Sequence, residues 1–397
     1  MKNSRRDFLK QAVAATAATA LPGSMLLGSN SAQAAEPIKV GILHSLTGTL
    51  AIAEAHVVDA EKLAIEEINA SGGIMGRQIT PIVEDGASDW PTFAEKAQKL
   101  VESDKVAAVF GCYTSASRKA VLPVFERYNG LLYYPTYYEG LEMSKNIMYT
   151  GQEATQQTIP AVNWLAKNKG KKFYLIGSDY IWPRTTNRIA KAAIAKAGGT
   201  VLGEDYFPLG ATEFSSVINK IKAAKPDVIL STIVGGSNVA FYKQLNSLGI
   251  TGKNQPIMAL AVTEEEAIGI GKDNLVGVYS CMGYFQSVKN PQNDKFVKAF
   301  KAKYGQDRVL GDTLEAAYTA VYLWKLGVEK AQSTDVPKVV AASSGLAWSA
   351  PEGDVHFHVS NHHLWKHSRI GAFRPDGQVD IVYESPLVEP NPFPKLG

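Results

Sequence analysis

Short runs of consecutive apolar residues alternate along the chain with longer stretches in which apolar residues recur every three or four positions. Residues 38–43 are the first run; Val57, Ala60, Ala64, Ile65 and Ile68 then fall at helical spacing as far as Gly72-Gly73. Runs at 79–83, 107–110 and 131–134 predict further strands, with helices over 91–101 and 117–128. After Thr150 the rhythm restarts: strands at 173–177, 200–206, 228–232 and 257–261, and helices over 155–167, 185–197, 215–223 and 239–248. A third section, from about Val276, adds one strand and helices over 294–304 and 313–330, the second with Leu314, Ala317, Tyr318 and Val321 on its core face. The stretch 353–383 reads as antiparallel, with Arg374-Pro375-Asp376-Gly377 as a tight turn. Strand–helix alternation gives parallel sheets wrapped by helices. Two such series predict an α/β protein with two doubly wound lobes: residues 35–151 plus 282–350 in lobe one, and 152–281 plus 351–397 in lobe two. With no low-complexity tether in the chain, several short crossings are expected to join them.

The first 34 residues follow a different pattern. Ser4-Arg5-Arg6-Asp7-Phe8-Leu9-Lys10 matches the twin-arginine motif, a moderately apolar Ala-rich stretch continues to about Leu27, and Ala32-Gln33-Ala34 supplies small residues for cleavage. This order predicts export to the periplasm through the twin-arginine pathway, with cleavage near Ala34. Of 41 basic and 38 acidic residues, cleavage there removes four and one, leaving 37 of each. A neutral chain argues against nucleic acid or an anionic membrane surface as partner. Two cysteines among 397 residues exclude a disulfide framework.

Catalytic motifs are missing from the sequence. There is no Gly-x-Ser-x-Gly elbow, no Walker loop and no complete Gly-x-Gly-x-x-Gly. Cys112 follows a strand but has no basic neighbour in sequence, and a buried Cys is ordinarily packing. Five of the seven histidines, His356, His358, His362, His363 and His367, crowd one stretch. They suit a solvated hairpin or backbone hydrogen bonds as well as a metal, and the pattern contains no carboxylate. The expectation is a non-enzymatic protein with no cofactor.

The loops just after the strands are more telling, because parallel sheets bind ligands outside the carboxyl ends of their strands. In chain order these positions hold Ser45 and Thr47; Tyr113, Thr114 and Ser115; Thr136, Tyr137, Tyr138 and Glu139; Asp179, Tyr180 and Trp182; Gly235, Gly236 and Ser237; Thr263 and Glu264. Six loops from both series sketch a cleft lined by hydroxyls and aromatic rings. Ser115 and Ser237 also stand where helices begin, so N-capping is the competing role for each.

At these residues the sequence resembles the leucine/isoleucine/valine-binding type of periplasmic binding protein, over essentially the whole chain after residue 34. Within that type it is similar to the branch holding the urea receptors of ABC importers and the amide sensors of amidase operons. The resemblance is carried by Gly111-Cys112-Tyr113-Thr114-Ser115, Arg118-Lys119-Ala120-Val121-Leu122-Pro123-Val124, Tyr134-Pro135-Thr136-Tyr137-Tyr138-Glu139-Gly140 and Gly177-Ser178-Asp179-Tyr180-Ile181-Trp182-Pro183-Arg184. Ser237-Asn238-Val239-Ala240-Phe241-Tyr242-Lys243, Asn361-His362-His363-Leu364 and the export signal tilt it toward the urea receptors, whereas Thr136 is nearer the amide sensors. It implies a type I periplasmic-binding-protein fold with a hinge cleft, and an ABC permease as partner. The implied ligand residues are Tyr113, Ser115, Tyr134, Thr136 and Tyr137 from lobe one and Tyr180 from lobe two; Ser45, Gly235 and Glu264 are further strand-end candidates.

The chemistry of those residues agrees. Urea is flat and neutral, with four N–H donors and one carbonyl, and hydroxyls, rings and a carboxylate such as Glu139 or Glu264 match it. Glu139 has a competing role as the partner of a lobe-one arginine such as Arg118. No Arg stands in the strand-end loops before Arg184, so a carboxylate-bearing amino acid ranks second as ligand. A sensor of amides is the remaining alternative. Four heavy atoms at ~1.5 kcal/mol each limit affinity to ~6 kcal/mol, a Kd of tens of micromolar, and approaching that ceiling requires complete enclosure.

Overall fold

The computed structural model describes residues 36–395; the twin-arginine motif and the cleavage site near Ala34 lie outside the described residues. The first series forms strands β1 (Ile38–His44), β2 (Ile79–Asp85), β3 (Val109–Gly111), β4 (Leu132–Tyr134) and β5 (Ile147–Tyr149), with helices α1 (Ala51–Glu54), α2 (Val57–Ala70), α3 (Trp90–Gln98) and α4 (Ser115–Tyr128) between them. These strands make one parallel sheet in the order β2-β1-β3-β4-β5. In β1, Ile38, Val40 and Ile42 share one face and pack with Leu314, Val321 and Trp324. Leu43 packs on the other side, the period-two alternation of a strand covered on both faces.

The second series is α5 (Thr158–Asn168), β6 (Lys172–Ser178), α6 (Ile181–Lys196), β7 (Thr200–Phe207), α7 (Ser215–Ala224), β8 (Val228–Thr232), α8 (Ser237–Ser247), β9 (Ile257–Ala259), α9 (Glu264–Ile270) and β10 (Tyr279–Met282). The chain continues through α10 (Pro291–Tyr304), α11 (Asp312–Ala331), α12 (Val336–Ser343), β11 (Ala347–Ala350), β12 (Gly353–Phe357), β13 (Leu364–Trp365), β14 (Arg369–Phe373) and β15 (Val379–Glu384). The second sheet runs β15-β14-β10-β9-β8-β6-β7; its β10–β14 and β14–β15 pairings are antiparallel and the others parallel. The Arg374–Gly377 turn joins those two, with Gly377 at φ +84° and its N–H on the Arg374 carbonyl at 3.0 Å.

One boundary moves. Residues 353–365, expected in lobe two, pair with β11 as a separate three-stranded antiparallel sheet. Val355, Phe357 and Leu364 are buried in the same cluster as β1 and α11, so apolar burial holds this stretch against the first sheet. The three-residue β5 and the short β11 are additions that no sequence period signalled.

The chain passes between the two large sheets three times: from β5 to α5, from β10 to α10, and from β13 to β14. Polar groups tie these passages together. Buried Lys366 donates to the Thr150 carbonyl at 2.9 Å and pairs with buried Glu352. Gln152 donates to the His367 carbonyl at 2.9 Å, and Asp312 accepts from the backbone N–H groups of Gly283 and Tyr284 at 2.8 and 2.9 Å.

Candidate functional site

The carboxyl ends of β1, β3 and β4 face those of β6, β8 and β9 across the space between the sheets. The β3–α4 connection shows how the chain aims side chains there. Gly111 lies at φ +150°, and a Cβ on it would meet the Leu43 carbonyl oxygen at 2.2 Å, so only glycine permits this approach to β1. Cys112 is next, in the left-handed region at φ +63°. Thr114, in extended backbone, caps α4 by accepting from the Ser117 N–H at 3.0 Å. The cap is therefore Thr114, and Ser115 keeps its hydroxyl for another partner. Ser237 likewise comes after its cap, Gly236, and its buried hydroxyl has no hydrogen-bond partner among the described residues.

A tyrosine network fills the lobe-one side. The Tyr134 hydroxyl donates to the Tyr113 carbonyl at 2.7 Å, and the Tyr113 and Tyr137 hydroxyls lie 2.8 Å apart with their rings edge to face. Thr136 donates to the Cys112 carbonyl at 3.4 Å. Tyr113, Ser115, Tyr134, Thr136 and Tyr137 are all buried. Burial, reinforced by the Glu266 carboxyl, holds the Tyr113 and Tyr137 hydroxyls far above the usual phenol range, so both remain donors.

Beside this network Arg118 is fully buried under two rings, its guanidinium carbon 4.7 Å from the Tyr134 centroid and 4.4 Å from that of Tyr138. Its Nε meets Glu142 at 2.7 Å, Nη1 meets the Ser115 hydroxyl at 3.2 Å, and Nη2 lies 3.5 Å from Glu139. Glu139 in turn accepts from Ser115 at 2.5 Å. Arg118 and Glu139 thus hold each other, the structural role weighed for Glu139 from sequence. Burial opposes ionisation of Glu142, but Arg118 outweighs it and holds that carboxyl down at about 2.

A second charged group stands behind Ser45. The Ser45 N–H donates to Glu54 at 2.6 Å, and its hydroxyl accepts from the Ser88 N–H at 3.1 Å. His44 lies 3.6 Å from Glu54 on one side and 3.0 Å from Glu61 on the other, all three buried. Burial works against charge on His44, yet the Glu61 and Glu54 carboxylates prevail and push it up to about 9.

From lobe two, Tyr180 occupies the capping position of α6 in extended backbone, half-buried, its ring 6.4 Å from Trp90 of lobe one. Burial first, then the neighbouring Tyr134, Glu139 and Glu54, raises its hydroxyl well above the usual range. Trp182 packs 5.6 Å from Tyr137. The β8–α8 loop reaches lobe one directly, the Gly236 N–H donating to the Thr49 carbonyl at 3.0 Å. Glu264 is buried but turned aside, accepting from the Gln286 N–H at 2.9 Å. Glu266, two residues on, is the α9 carboxyl next to the Tyr113–Tyr137 pair. Its Oε2 accepts from the Thr263 N–H at 3.1 Å, its Oε1 is buried without a partner, and burial lifts the carboxyl to about 8.

The structure thus brings Tyr113, Ser115, Tyr134, Thr136 and Tyr137 together under Tyr180, sets Ser45 and Gly235 at the margin, and turns Glu264 away. Sequence reasoning missed Glu54, Glu61 and Glu266. An acid inside the apolar run Ala51-Ile52-Ala53-Glu54-Ala55 was the available signal for the first. The Cys112 thiol is buried and pushed far up by desolvation, which suits packing and not nucleophilic attack. The histidine stretch bonds mainly to backbone: His362 to the Ser144 carbonyl, His363 to the Asn361 carbonyl and His367 to the Ser385 carbonyl. Among the described residues no group of three His, Cys, Asp or Glu side chains gathers to hold a metal, and no helix is long and apolar enough to cross a membrane.

Comparison with known proteins matches residues 38–397 to the periplasmic binding protein domain. Leu/Ile/Val-binding protein homolog 7 of Brucella melitensis is 25% identical over 382 residues, covering 89% of this chain and 93% of its own. The fold is similar to that of an ABC-transporter solute binding protein from Rhodopseudomonas palustris, in complex with 3,4-dihydroxybenzoic acid, with TM-score 0.81, 22% identity and coverage of 89% and 98%. It is also similar to the branched-chain amino acid transporter substrate binding protein LivJ from Streptococcus pneumoniae, in complex with isoleucine, with TM-score 0.78, 21% identity and coverage of 89% and 100%.

Proposed function

The chain belongs to the periplasmic binding protein family, and from that premise we propose that its cleft captures urea or a short aliphatic amide by closure of the two lobes and delivers it to an ABC permease. The family's members are solute-binding receptors of ABC transporters that act in the periplasm; export through the twin-arginine pathway and cleavage near Ala34 are part of the proposal, as is the absence of any enzymatic step. The site residues we assign are Tyr113, Ser115, Tyr134, Thr136, Tyr137 and Tyr180, with Ser45 and Gly235 at the margin.

One observation carries the choice of a neutral ligand. Around the pocket Glu54, Glu61, Glu139 and Glu142 stand against His44, Arg118 and Lys119, four carboxylates against three cations. Arg118 is occupied by Ser115, Glu139 and Glu142 and has no free edge for a carboxylate. An anionic ligand such as an amino acid or a benzoate would enter a site already carrying excess negative charge. A neutral amide meets instead ring faces and a mixture of hydroxyl donors and acceptors. Urea is preferred over acetamide.

Calorimetric titration with urea, acetamide, leucine and 4-hydroxybenzoate under one set of conditions tests this. Urea or acetamide is expected to bind best, with urea ahead. Tighter binding of leucine or the benzoate would overturn the neutral-ligand reading, and ammonia release on incubation would overturn the receptor reading.

A further inference from the structure

Glu54 makes less use of its carboxylate than a purely structural acid would. It ends the single-turn helix α1, immediately above the carboxyl end of β1. Oε2 is engaged by the Ser45 N–H at 2.6 Å and by His44 Nδ1 at 3.6 Å. Oε1 is buried and has no hydrogen-bond partner among the described residues. An unsatisfied buried carboxylate oxygen is costly, and pinning α1 onto β1 requires only Oε2. Glu61 meets the opposite ring nitrogen, His44 Nε2, at 3.0 Å, so two carboxylates share one imidazole; Glu61 Oε2 is likewise buried without a partner among the described residues, but it is Glu54 that bonds Ser45 at the strand end. After burial, the Glu54 carboxylate is among the groups that raise the Tyr180 hydroxyl of lobe two and the Cys112 thiol in the β3–α4 turn.

The other acids nearby are committed differently. Glu139 is held by Ser115 and Arg118. Glu264 accepts from the Gln286 N–H through Oε1 and leaves Oε2 buried without a partner among the described residues, but burial, with Glu265 beside it, pushes this carboxyl well above its ordinary range toward the protonated form. Glu266 has an open oxygen but no cation beside it, and burial lifts it to about 8, so near neutral pH it is mostly a protonated donor suited to a carbonyl. Glu54 is the acid whose free oxygen is suited to accept from the ligand.

We propose that Glu54 Oε1 accepts an N–H from the second amino group of urea and is thereby the residue that separates urea from acetamide. This rests on the amide-receptor reading. Acetamide presents a methyl at that corner and leaves the oxygen unpaired, which for a hydrogen bond to a charged acceptor corresponds to a discrimination of about 10- to 150-fold.

The test is calorimetric titration of the wild type and Glu54→Gln with urea and with acetamide, alongside thermal melting to verify folding. The amide keeps the shape and an acceptor for Ser45 but removes the charge. Urea affinity is expected to fall at least about tenfold while acetamide affinity changes by less than about threefold. Equal losses for both ligands, or no loss for urea, would overturn the assignment of Glu54 while leaving the ligand reading intact. A wild type that binds neither molecule would overturn the ligand reading and this assignment with it. If Glu54→Gln does not fold, Glu54→Asp preserves the charge for His44 but withdraws the carboxylate by one methylene. The urea-to-acetamide affinity ratio is expected to fall in that variant too, and an unchanged ratio would overturn the proposal.

Discussion

Gly235→Ala separates the cost of folding from the cost of closing the lobes. Gly235 sits at φ +64°, in the left-handed region, where alanine carries a strain of about 1 kcal/mol whether or not the lobes are shut. That part lowers the thermal midpoint of the ligand-free protein by about 2 °C in a chain of this size. The second part exists only when the lobes meet. A Cβ at residue 235 would lie 2.9 Å from the Thr49 carbonyl oxygen and 3.1 Å from Leu50 Cδ2, both on lobe one. Thr49 must then retreat, and the 3.0 Å bond it accepts from Gly236 is weakened. A hydrogen bond of that kind contributes about 0.5–1.5 kcal/mol, and with the overlap the closed state is penalised by about 1–2 kcal/mol. Affinity for urea should therefore fall about 5- to 30-fold. Calorimetry measures the affinity, melting without ligand measures the strain, and small-angle scattering with and without ligand reports closure. An affinity equal to wild type would refute the argument that this loop contact belongs to the binding-competent state.

Tyr180→Ala should weaken urea binding at least about tenfold with little change in melting temperature, because the ring is half-buried at the cleft; normal binding with a much lower midpoint would identify it as packing. Glu266 carries a raised carboxyl pKa, about 8 against an ordinary 4.5, so the stability associated with its protonated form is full below about pH 4.5 and is lost as the pH rises through about 8. Glu266→Gln should therefore show a shallower fall in melting temperature between pH 5 and 9 than the wild type, and parallel curves would count against the burial argument. Replacing both Arg5 and Arg6 by lysine should leave precursor in the cytoplasm; undiminished periplasmic accumulation, read by fractionation and blotting, would sink the twin-arginine assignment.

The alternation of strand and helix was legible because it is local. Periods of two and about 3.6 residues, with Gly and Pro at the breaks, specify elements without reference to distant residues. The rule that ligands gather at the carboxyl ends of parallel strands singles out these loops from sequence, and in the fold Tyr113, Ser115, Tyr134, Thr136 and Tyr137 do converge. Short elements such as β5 were illegible because three residues contain too little of a period to register. Apart from the Arg118–Glu139 pair, charge pairing was illegible for another reason. Glu264 and Glu266 lie two residues apart on one helix; a local capping box ties the second to Thr263, but only the packing of α9 sets the first on Gln286 and brings the tyrosine pair within range of the second. Lys366 finds the Thr150 carbonyl across 216 positions, and Arg118 becomes unavailable to a ligand only after Glu139 and Glu142 fold back over it. Whether a carboxylate is a ligand acceptor, a counter-ion or a proton carrier depends on burial and on the cation beside it. Chain segments far apart in sequence supply both, and those segments meet only in the folded protein.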